Sequence, residues 1–145
     1  MVNVEELTEV DEDVLQALNA LLPQLSSSAH PITVEQLAEI VRSDASHLLI
    51  ARDEAEVVVG ALTLVVFRIP TGLRAWVEDV VVDSDARGTG VGESLNRAAL
   101  AMAHDLGART VDLTSRPSRE AANRLYQKLG FQARETNVYR YTLDG

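Results

Sequence analysis

The chain contains no cysteine, which removes disulfides, thiolate metal sites and a thiol nucleophile together. Its three histidines, His30, His47 and His104, show no metal-ligand spacing, so no metal is expected. No apolar run approaches the roughly 20 residues that span a bilayer. The N-terminal MVNVEELTEV carries acids where a signal peptide needs bases. A cytoplasmic protein, working without metal and without a membrane, is the expectation. Bases are also scarce early in the chain. Residues 1–60 hold 12 acids against 2 bases, whereas residues 61–145 hold 10 against 11. The acidic part would repel nucleic acid and favour a cationic partner. Soluble helices are often acidic as well, so charge alone does not choose.

What remains is ordinarily globular: 145 residues, 46% apolar and 24% charged, read as one domain over 1–145. Val2 to Glu6 reads as a short edge strand. Asp11 opens a helix to about Leu25, with Val10 and Leu15 as a hydrophobic staple and Leu15, Leu18, Leu22 and Leu25 on one face. Thr33 and Gln36 form a capping box that starts a second helix, ending near Arg42. His47 to Arg52 and Val57 to Arg68 read as a hairpin around Asp53 to Glu56, and Arg74 to Val82 as a third long strand. A helix from Gly90 to Leu106 carries Val91, Leu95, Ala98, Met102 and Leu106 on one stripe and stops at Gly107. A strand at Arg109 to Thr114, a helix from Ser118 to Leu129 capped by Gly130, and a last strand at Val138 to Leu143 complete the order. The fold class is α/β: a mixed, mostly antiparallel twisted sheet of about six to seven strands flanked by about four helices.

The most informative segment is Asp83 to Gly92, DSDARGTGVG, between the apolar run Trp76 to Val82 and the long helix. A strand that breaks into glycines and opens a helix aims several N–H groups, and the positive helix end, at an anion. A Walker loop needs a lysine after the last glycine, and none follows. The dinucleotide fingerprint fails because Glu93 holds its third glycine position and no acid follows at the expected distance. What fits is [RQ]xxGx[GA], filled by Arg87, Gly90 and Gly92. About 35 residues on, Ala122 to Phe131 read ANRLYQKLGF.

The two blocks in this order resemble the acyl-CoA loop and the AxxxYxxxGF segment of the GNAT N-acetyltransferase superfamily, and the resemblance covers about residues 2–143. It implies acetyl-CoA as cosubstrate, with Arg87, Gly88, Thr89, Gly90, Val91 and Gly92 on its pyrophosphate. It further implies that the backbone of Val80, Val81 and Val82 meets the pantetheine arm and the oxyanion, with Asn123 on the cofactor. Tyr126 is the candidate general acid for the leaving sulfur; from the residues alone it also fits a packing role. Glu78 and Asp79 interrupt an apolar run, where carboxylates are costly unless paired or solvated. Strict alternation places Glu78 with Val80 and Val82, and Asp79 with Val81. VEDVVV (Val77 to Val82) is similar to the IEDIAV strand of the superfamily's sugar-phosphate members, which implies Glu78 as base, directly or through a water. Where the histone-modifying members carry their glutamate, this chain has Trp76. The expected reaction is acetyl transfer to a small primary amine or other cationic amino group by direct attack in a ternary complex. A protein N-terminal or lysine acceptor, and a non-catalytic acyl-CoA regulator, are the alternatives. A homodimer stays open.

Overall fold

The computed structural model describes residues 2–143. Met1–Thr114 form one compact unit and Ser115–Gly145 a second.

The first unit is built on a five-stranded sheet in sequential order: β1 (Asn3–Glu6), β2 (Ser46–Arg52), β3 (Val58–Ile69), β4 (Gly72–Val82) and β5 (Val111–Asp112). The first three pairings are antiparallel and β4–β5 is parallel. Helix α1 (Glu12–Leu25) starts where the Asp11 carboxylate accepts from the backbone N–H groups of Asp13 and Val14. Helix α2 (Val34–Arg42) starts at the complete Thr33–Gln36 capping box. Both cover one face of the sheet, where Val14, Leu18, Leu21 and Leu37 pack with Leu48, Ile50, Val58, Ala61 and Val81. Helix α3 (Val91–Leu106) covers the other face, with Val91, Leu95, Ala99 and Ala103 on Leu49, Leu62, Leu64, Ala75 and Val77.

Two stripes shift from their expected positions. In α1 the fully buried row is Val14, Leu18 and Leu21, not the row through Leu15, Leu22 and Leu25. In α3 it is Val91, Leu95, Ala99 and Ala103, and Leu106 is exposed. Small alanines turn inward because α3 lies close to the sheet, and bulk cannot enter there.

In the second unit, α4 (Glu120–Leu129) ends on left-handed Gly130. The Tyr126 and Phe131 rings meet edge to face at 5.7 Å. The strand expected at Val138 to Leu143 does not form among the described residues, and β5 keeps only 2 of its 6 expected residues. The sheet therefore has five strands there, fewer than expected. The residues favour strand, but a strand needs a neighbouring edge, and no ladder reaches this segment.

Candidate functional site

The site starts where β4 and β5 part. Their ladder holds only Ala75 with Val111 and Trp76 with Asp112. Beyond Trp76, the β5-side edge of β4 has no rung among the described residues, and it runs open from Val77 to Val82. On its other side β4 stays paired with β3, but not in simple register. Thr63 pairs with Glu78 and Ala61 with Val81, so Leu62 faces two residues, Asp79 and Val80. This is a β-bulge, and Asp79 takes the left-handed conformation, φ 51°, that lets the strand make it.

The bulge inverts the faces of β4. Ala75 and Val77 lie on the α3 side; after it, Val80 and Val82 lie on that side and Val81 joins the α1–α2 side. Glu78, cross-strand from Thr63, therefore shares the α1–α2 side with Val81, not a face with Val80 and Val82. Strict alternation fails here because one inserted residue shifts every later side chain by a face. Glu78 and Asp79 are both exposed, which removes the desolvation cost that singled them out.

The open edge leads directly into the glycine segment. A 3-10 turn (Ser84–Ala86) follows Asp83, whose N–H donates to the Val59 carbonyl. The Gln24 side chain, near the end of α1, accepts from the Ser84 N–H at 2.9 Å and donates to Asp83. Gly88 and Gly90 are left-handed, with φ 81° and 88°, and a Cβ on either would meet nothing within 4 Å. Conformation requires these glycines, and the space before them is open. The N–H groups of Gly88, Thr89 and Gly90 donate to no group among the described residues, while the Thr89 hydroxyl donates to the Ala86 carbonyl. No side chain caps α3, and the N–H groups of Val91 and Gly92 at its start likewise donate to no group among the described residues. Arg87 is exposed, with its Nε 3.4 Å from the Val82 carbonyl. Together these groups form an anion cradle. Towards Val2 and the β2–β3 turn lies an open depression of about 470 Å³. Asp53, Glu54 and Asp85 line it, and their charge opposes a polyphosphate on that side.

Sequence reasoning missed two residues beside the cradle. Asn96, fully buried on α3, donates to the Gly92 carbonyl at 2.9 Å, and its Oδ1 finds no donor among the described residues. Gly60 on β3 passes so close to α3 that a Cβ would lie 2.9 Å from Val91 Cγ1. A glycine inside a strand was the available signal for such an approach.

In the second unit Tyr126 is the buried residue of α4, deeper than Ala122, Leu125 and Leu129. Burial pushes its phenol above the ordinary value, and the Arg119 charge partly opposes this. Asn123 donates to the Arg116 carbonyl at 2.9 Å, which ties down the chain entering α4 and leaves its Oδ1 available.

The sequence pattern of the acetyltransferase (GNAT) family matches residues 12–131, spanning both the cradle and α4. The chain belongs to that family. It is 33% identical over 75 residues, 52% of the chain and 49% of the relative, to N-alpha-acetyltransferase 30 of Schizosaccharomyces pombe. It is 34% identical over 95 residues, 66% of the chain and 30% of the relative, to mycothiol acetyltransferase of Propionibacterium freudenreichii. The chain thus spans half or less of the length of these curated relatives. Among solved structures it is similar to an aminoglycoside acetyltransferase from an uncultured soil metagenomic sample, crystallised with sisomicin. That likeness has a TM-score of 0.86 at 22% identity, over 99% of this chain and 97% of the other. It extends the family's fold to nearly the whole chain. No helix among the described residues is long and apolar enough to cross a membrane.

Proposed function

We propose that this chain transfers an acetyl group from acetyl-CoA to a primary amine by direct attack in a ternary complex. One observation carries the reading: β4 leaves β5 after Trp76, bulges at Asp79, and runs as an open edge into an uncapped helix N-terminus. An extended amide-bearing arm that ends in a pyrophosphate fits such an edge and cradle in that order. Arg87 to Gly92 hold the phosphates, and Val80 to Val82 take the arm as an added strand. Asn123 offers its Oδ1 to the cosubstrate.

An N–H on the open β5-side edge of β4, at Val80 to Val82, stabilises the oxyanion as the amine attacks the thioester carbonyl. Glu78 takes the proton of the acceptor ammonium, directly or through a water. A C–N bond forms, the C–S bond breaks, Tyr126 gives its proton to the departing sulfur, and the second proton shed by the nitrogen returns through water to the Tyr126 phenolate. A phenol held protonated by burial suits that task. The acidic first 60 residues favour a cationic acceptor.

Likeness to the yeast N-alpha-acetyltransferase favours a second reading, with a polypeptide N-terminus as acceptor. A panel of small amines, polyamines, aminoglycosides and peptides, read by release of CoA thiol, tests both. The protein has no thiol of its own to add background. Turnover with a small cationic amine supports the first reading, and turnover with peptides alone supports the second. Tight CoA binding with no turnover on any amine overturns both in favour of a regulator that only binds acyl-CoA.

A further inference from the structure

The chain has one tryptophan, and it packs into neither core. Trp76 stands between Ala75 and Val77, which both lie on the α3 side, so its ring is on the α1–α2 side of β4. It is half-buried there, stacks on no other ring, and its indole N–H donates to no group among the described residues. A ring of this size ordinarily anchors a core or a binding surface. This one sits on the last rung before β4 and β5 part.

The same rung carries a carboxylate on the same face. Val111 and Leu113 pack towards the α3-side core, so Asp112 alternates to the face of Trp76, its partner across the ladder at about 4.8 Å. Glu78, two residues further along β4, is on that face as well, about 7 Å from Trp76. Neither carboxylate makes a hydrogen bond or ion pair among the described residues. In the other direction Arg74 shares the face, held by the hydroxyls of Thr71 and Thr110. An aromatic face beside a carboxylate suits an alkylammonium. A second carboxylate about 7–8 Å away suits another, and the Arg74 charge turns cations away from the opposite side.

We infer that the acceptor is a diamine, with one ammonium held between the Trp76 ring and the Asp112 carboxylate and the other at Glu78. The inference rests on the acetyl-transfer reading and names its substrate class: the nitrogen at Glu78 is the one that attacks. An extended linear diamine of roughly four or five carbons spans the gap. An amine with a single cation fills only half of the site.

Trp76, as the one tryptophan, reports binding here by its own emission, without any turnover. The full chain, with and without CoA, is titrated with 1,4-diaminobutane and with 1-aminobutane. The diamine should change the emission saturably, with a dissociation constant at least about tenfold below that of the monoamine. Asp112→Asn should erase most of that preference. In turnover, Trp76→Leu should lower kcat/KM for the diamine about tenfold, and Trp76→Phe, which keeps an aromatic face, should restore much of it. A diamine preference in emission with no CoA thiol released from acetyl-CoA would overturn the acetyl-transfer reading and leave the diamine site standing. Equal affinity for the two amines, emission indifferent to both, a preference that survives Asp112→Asn, or wild-type kcat/KM in Trp76→Leu would each overturn the inference itself.

Discussion

Gly60 of β3 lies opposite Val82 of β4, on the last paired rung before β4 enters the glycine segment. A Cβ there would sit 2.9 Å from Val91 Cγ1 and 3.1 Å from both Leu95 Cδ1 and the Val81 carbonyl. Val91 is the first residue of α3, so Gly60 sets how closely the cradle's helix seats on the sheet. Gly60→Ala should cost about 1–3 kcal/mol in urea unfolding through overpacking, and should weaken CoA binding at the same time. Wild-type stability in this variant would mean that α3 does not approach β3 as closely as described.

Asp79 fixes the bulge by its positive φ of 51°. Valine is a poor fit to that conformation, whereas glycine adopts it freely. Asp79→Val should lower stability by about 1–2 kcal/mol and depress turnover, and Asp79→Gly should be at least as stable as wild type. Equal stability of the valine and glycine variants would place the bulge elsewhere.

Asn96 keeps a buried Oδ1 without a donor. Leucine has a similar volume and no polar atom to satisfy. Asn96→Leu should leave unfolding free energy within about 1 kcal/mol of wild type, or raise it, because an unpaired buried acceptor is itself costly. A loss beyond about 2 kcal/mol would show that the Asn96 amide has a partner worth more than the orphaned acceptor costs.

Tyr126 combines burial with a raised phenol pKa. Tyr126→Phe should reduce kcat roughly a hundredfold or more, with CoA affinity nearly unchanged; a matching fall in both would make the residue structural. In ultraviolet titration, the wild-type minus Tyr126→Phe difference should have its midpoint above the ordinary value of about 10. The folded chain then holds this proton more tightly than the unfolded one. Stability should fall as pH rises from about 10 through the raised value, with no loss from this group below it.

Much of this was legible before folding was considered. Asp11, the Thr33–Gln36 box, Gly107 and Gly130 mark helix ends by local chemistry, and all four signals stand in the structure. The family resemblance carried by Arg87 to Gly92 and by Ala122 to Phe131 also stands. The bulge was not legible, because in VEDVVV valines occupy both faces and no polar–apolar pattern marks the inserted residue. The depth of Tyr126 was hidden too, since helical spacing gives a direction but not what fills it. Val138 to Leu143 shows the converse limit: strand propensity was plain, and the partner edge it needs is not a property of the segment.

The central claim is that CoA lies along the open edge of β4 and ends at the cradle. Amide hydrogen exchange with and without CoA tests it most directly. Protection should rise at Val80 to Val82 and at Gly88 to Gly92, and stay unchanged in β1 and β2. Protection that leaves these amides untouched, or appears only around Asp53 and Glu54, would contradict the account.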